Sequence, residues 1–231
     1  MAAIFDKDLE FLRQLTDEQL DPLVRHLMYD KDFSKRRTEQ LSSNPIVKAH
    51  FPNHTYYVND VIEEVQRYGA NTLATLFRLG KGVPYKEILS DVCKKLKVKD
   101  VKKLSVEEQE EKMVRVIIER AVKKMSPEQL QEFAKKANLN TNHYTAQAVL
   151  TALATASTPF SFILATGVFV PFQGYVGGTA LGAGLFLGTL AFIGLSGIFA
   201  GFAITGPAYR VTIPACVIIA CLRNELKLKL N

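Results

Sequence analysis

The stretch GLFLGTLAFIGLSGIFAGFAI, residues 184–204, carries no charge and no proline, yet five of its 21 residues are glycine. In water a glycine weakens a helix by about 1 kcal/mol relative to alanine. In lipid the balance differs. Helices there gain nothing by hiding apolar surface, and they associate by close packing through small residues. The segment therefore reads as a membrane helix with a packing face.

Its surroundings support that reading. Residues 137–209, 73 in a row, contain no Lys, Arg, Asp or Glu. A soluble domain needs some polar face to meet water. A bilayer removes that need and takes about 20 apolar residues per spanning helix. Residues 146–170 form one candidate span, with a kink expected at Pro159, and residues 182–204 form the second. Between them, PFQGYVGGTAL (171–181) reads as a tight turn. The expected transmembrane hairpin thus occupies 144–209. Gly174, Gly178 and Gly182 are spaced four apart, as are Gly184 and Gly188, and Gly197 and Gly201. These glycines are the expected helix-packing and oligomer surface. Thr189 and Ser196 are candidate pore-lining hydroxyls, and Arg210 is a candidate for the mouth or a lipid anchor. In a packed hairpin the same hydroxyls would bond back to their own helices.

The rest of the chain is unlike the hairpin. Residues 1–136 hold 25 Lys/Arg and 22 Asp/Glu, and the last 22 residues hold four basic residues against Glu225. Basic ends on both sides of a hairpin place both termini on the cytoplasmic side of the membrane. The start of the chain lacks the charged and apolar regions of a secretory signal. Cys93, Cys216 and Cys221 have neither zinc nor disulfide-framework spacing.

Residues 1–143 read as an all-α cytosolic domain. Thr16–Gln19 has capping-box spacing, so a helix starts there after a first short one. Residues 30–54 are polar and broken by Pro45 and Pro52. Residues 59–79 repeat apolar positions every three or four, with a possible interruption at Gly69. Pro84 opens a helix to about Leu96. Residues 105–124 are amphipathic, with Met113, Val116, Ile117 and Val122 facing inward. Ser126 and Pro127 begin another helix. Residues 210–231 remain open: the 12-residue apolar run 211–222 is too short to span and suits a re-entrant, interfacial or packed helix, followed by a basic tail.

No catalytic constellation, metal site or cofactor motif emerges, and an enzyme is not expected. His50 and His54 are four apart, but Pro52 lies between them and the pair reads as a surface-loop coincidence. His143 reads as an interfacial residue, with pH sensing the alternative. The strongest chemical signal is CKKLKVKDVKKL, residues 93–104, where Lys94, Lys95, Lys97, Lys99, Lys102 and Lys103 face Asp100 alone. Arg36 and Arg37, with Lys35, make a weaker cluster. Such patches bind nucleic-acid phosphates or anionic lipid headgroups. A plain solvated face, balanced by nearby glutamates, is the other reading.

AYRVTIPACVIIACLR (208–223), DLEFLRQLTDEQLDPLV (8–24) and YKEILSDVCKKLKVK (85–99) closely resemble the bacterial YaaW-like family. The arrangement also resembles the membrane effector of Hailong anti-phage systems. That resemblance implies a tetrameric channel held closed by a single-stranded DNA oligomer, which a partner nucleotidyltransferase makes. The expected function is then a homo-oligomeric channel effector of anti-phage defence. A membrane-anchored assembly factor or chaperone, and a triggered pore-forming protein, are the alternatives.

Overall fold

Helix starts in this chain are set by their caps. The hydroxyls of Thr16, Ser105 and Ser126 each accept a hydrogen bond from the N–H three residues on, and the side chains of Gln19, Glu108 and Gln129 accept one from the cap's own N–H. Each reciprocal pair satisfies two backbone donors that the first turn leaves without partners. Asn44 caps the helix that opens on Pro45, and Thr145 caps the one that follows it at Ala146.

The computed structural model describes residues 4–30, 34–72, 82–156 and 209–230. These residues form eight α-helices: α1 (Asp17–Met28), α2 (Pro45–His50), α3 (Val58–Thr72), α4 (Tyr85–Lys95), α5 (Val106–Val122), α6 (Pro127–Lys136), α7 (Ala146–Thr155) and α8 (Tyr209–Leu230). One short 3-10 turn precedes them and three lie between them, and among the described residues there is no strand beyond one isolated bridge between Tyr29 and Lys35. The all-α expectation is met. The first short helix is a 3-10 turn, Glu10–Gln14. The polar stretch 30–54 contains α2 because Pro45 sits in the first turn, where its missing N–H costs no bond.

The centre of the bundle is α8. All of residues 211–222 are buried, and α8 packs against α1, α3, α4 and α5. A helix that is apolar all round belongs inside. Its direction follows from its bonds. Near its start, His26 of α1 meets the Val211 carbonyl at 2.9 Å, and near its end Glu225 accepts from Gln19, close to the start of α1, at 3.0 Å. The two helices are therefore antiparallel. The same holds against α4: Tyr209 reaches Asp91, and Tyr85 reaches the Cys216 carbonyl.

Helix α3 continues through Gly69, and the glycine there admits Ile88 of α4 where a methyl group would collide with it. On α5, Met113, Ile117 and Val122 are buried and Val116 is half-buried. Helix α7 buries Val149 and Leu153 and packs on α5 and α6.

The first candidate span, 146–170, begins as α7, which ends at Thr155 with Ala156 extended. Its remainder, the turn 171–181 and the second span 182–204 lie outside the described residues, as do the seven packing glycines, Thr189 and Ser196. Among the described residues, no helix is long and apolar enough to cross a membrane.

Candidate functional site

The lysines of residues 94–103 are brought together by a tight reversal at the C-terminal end of α4. Lys97 and Asp100 adopt left-handed backbone with φ of 62° and 55°, which folds the chain back into the 3-10 turn Val101–Lys103. Leu96, Val98 and Val101 anchor that reversal in the core, while all six lysines are exposed. Among the described residues none of the six forms an ion pair. Arg120 of α5 donates to the Leu96 carbonyl at 2.8 Å and fixes the end of α4.

One lysine touches α8. The Lys95 ammonium lies 5.2 Å from the centroid of the Tyr209 ring, and the Tyr209 hydroxyl donates to Asp91 at 2.6 Å. Tyr209 is the last residue of the uncharged run. Arg210 follows it and is exposed.

The second basic cluster does not join this face as a unit. Arg36 is half-buried, donates to the His26 carbonyl at 3.0 Å and pairs with Asp30 at 3.4 Å. It fastens the segment after α1 to that helix. Arg37 is exposed.

The sequence reading missed two polar clusters. In the first, Glu110 of α5 is 1% exposed and accepts from Arg223 of α8 at 2.9 Å and from the Tyr85 hydroxyl at 2.9 Å. Arg223 also donates to the Asp8 carbonyl and lies over the Phe11 ring, 4.3 Å from its centroid. Burial raises the Glu110 carboxyl above its ordinary range, with Arg223 and Tyr85 pulling it back. A signal was present: Glu110 stands three and seven residues before Met113 and Ile117, on the inward face of α5. A small open pocket of about 200 Å³ lies beside Arg223, lined by Lys7, Asp8, Lys86, Ser105 and Glu107 among others.

In the second, His54 is 1% exposed and not in a surface loop. Its Nε2 meets Asp21 at 3.0 Å and its Nδ1 meets the Tyr57 hydroxyl. Burial alone would raise the Asp21 carboxyl, but hydrogen bonds from His54 and Arg25 outweigh it and hold the group low. The expectation of a surface coincidence fails for His54. The 3-10 turn His54–Tyr57 packs it against α1, while His50 stacks on Tyr56. Each ring nitrogen of His54 has a protein partner, which makes the trio a strut between α1 and the turn. His143 is exposed and bonds locally with Thr141. No group of three or more metal-ligating side chains occurs among the described residues.

Residues 4–37, which hold the first 3-10 turn and α1, match the family model described as Domain of unknown function (DUF3944). A UPF0174 protein from Helicobacter pylori is 37% identical over 96% of this chain and 93% of its own length. The UPF0174 protein YaaW from Escherichia coli K12 is 32% identical over 95% of this chain and 94% of its own length. The chain belongs to the UPF0174 family. The expected YaaW-like resemblance is thereby shown. No solved structure matches the chain. Within this UPF0174 chain, the family model covers α1, its approach and the segment after it that holds Arg36 and Arg37; the lysine loop and the uncharged run lie beyond it.

Proposed function

We propose that the protein is a homo-oligomeric membrane channel effector of anti-phage defence in the bacterial inner membrane. In this reading the glycine-packed transmembrane hairpin lies within residues 144–209, beyond α7, which packs on the helical domain, and both termini are cytoplasmic. A single-stranded DNA oligomer made by a partner nucleotidyltransferase binds the helical domain and holds the channel closed. The ligand and a tetrameric state come from the resemblance to the Hailong effector.

One observation carries the membrane part. Helix α7, inside the charge-free run, and α8, which begins at the run's last residue, both pack on α5, so one folded unit holds the described parts on either side of the candidate hairpin. That is the topology a hairpin needs, with its two ends on one side. The same connection supplies a route for gating. Tyr209 ends the run and begins the helix at the bundle's centre, so a change in the bundle's packing moves the hairpin's last residue directly. A ligand closes such a gate only by binding the closed arrangement more tightly than the open one.

The test uses detergent-purified full-length protein. Light scattering gives its mass with and without an oligodeoxyadenylate, and reconstituted vesicles report ion flux in both states. A defined oligomer that passes ions and falls silent with the DNA is expected. An oligomer that never conducts would overturn the channel. A monomer indifferent to DNA would leave a membrane-anchored client-binding protein.

A further inference from the structure

We propose that the lysine loop at the end of α4, together with Arg210, is a face that lies on the anionic headgroups of the bilayer's cytoplasmic leaflet. This rests on the membrane reading of residues 144–209 and adds a partner for a surface that reading leaves unused.

Position is the first reason. Tyr209 is where the uncharged run ends, and its ring and hydroxyl are held by Lys95 and Asp91 of α4. The C-terminal end of α4, with the lysines just past it, therefore shares one end of the bundle with the exit from the hairpin. The opposite end is marked by Glu225 of α8, beside Gln19 at the start of α1. The concentrated positive charge thus sits where the chain would leave the bilayer.

Chemistry is the second reason. A tyrosine flanked by cations is the usual composition of a membrane–water boundary. Lysines on long flexible stems suit headgroup phosphates, which ask for charge and impose no fixed geometry. Each such charge raises partition onto an anionic surface by about fivefold. A protein that tracks single-stranded nucleic acid needs aromatic platforms among its cations. Residues 86–104 contain no aromatic side chain, and Tyr209 is already engaged.

Salt and lipid composition separate the face from its alternatives. The chain has no tryptophan, so one introduced indole reports its own surroundings. Lys102→Trp places it in the face and leaves five lysines. Tyr56→Trp places it at the far end, next to Tyr57 and His54, which pairs with Asp21 near the start of α1. Both full-length variants are reconstituted in phosphatidylcholine vesicles carrying a headgroup nitroxide, with and without phosphatidylglycerol.

Lys102→Trp should be quenched several-fold more than Tyr56→Trp. The excess should grow with phosphatidylglycerol, shrink with added salt, and vanish when the other five lysines are glutamine. Equal quenching at the two positions, or no response to phosphatidylglycerol, would overturn the face while the hairpin stands. So would an oligodeoxyadenylate that perturbs the Lys102→Trp emission in zwitterionic vesicles, which would give the face to nucleic acid. An alkaline wash that strips the protein from the vesicles would remove the membrane reading itself, and the face with it.

Discussion

Acidifying the protein from pH 7 to pH 5 is expected to destabilise the helical domain by about 2 kcal/mol through His26 alone. The His26 imidazole is buried between α1 and the start of α8, with Nε2 bonded to the Val211 carbonyl at 2.9 Å. Burial, and next the nearby Arg36 guanidinium, push it down from 6.5 to about 4, against the opposing pull of the Val211 carbonyl bond and, less, of Asp30. A base held below its unfolded value binds more protons when unfolded. Its contribution is therefore complete above about pH 6.5, shrinks as the pH falls, and is lost by about pH 4. The full window corresponds to about 3 kcal/mol, most of it gone by pH 5. The control is His26→Gln, whose amide donates to the same carbonyl but does not titrate. Thermal melts of the two detergent-solubilised proteins at pH 7, 6 and 5 isolate the residue from every other titration. At about 2–4 °C per kcal/mol for a chain of this size, the parent should lose about 4–8 °C more than the variant. Curves that shift in parallel would refute a buried neutral imidazole.

Arg223→Met should lower the midpoint on the order of 10 °C, since it leaves Glu110 buried without its cation, a loss of about 3–5 kcal/mol; Arg223→Met, Glu110→Gln together should recover part of it in the same melts. Gly69→Ala forces a methyl into Ile88 and should cost about 1–3 kcal/mol by denaturant titration, with Gly69→Ala, Ile88→Val less affected. Asp21→Asn breaks the pairing of His54 with α1; it should speed amide exchange across the turn 54–57 while leaving α5 unchanged, and uniform acceleration would reject a local strut.

Much of the helical domain was legible because its signals are local. Thr16–Gln19 and Ser126–Gln129 mark helix starts by hydroxyl and amide spacing, and α5 shows its inward face by period. The role of α8 was not legible to the same degree. Twelve apolar residues between arginines fit a membrane surface and a protein core equally, because periodicity vanishes when every face is buried. Pro214 added to the ambiguity, since inside α8 it forgoes the bond to the Arg210 carbonyl and its ring crowds that carbonyl. His54 was misread because the strut that buries it joins residues 33 positions apart. The lysine loop was visible as charge, but its contact with Tyr209 spans more than a hundred residues.

The order of synthesis gives α8 a further consequence. Helices α1 to α7 leave the ribosome before the helix around which four of them pack. Leu20, Leu23 and Leu27 of α1, and Ile88 and Leu89 of α4, have no finished interior until residues 211–222 arrive. The uncharged run is made in between. The interior can close only once that run has been made. Truncation anywhere in the apolar run therefore also leaves α1, α3, α4 and α5 without their central helix.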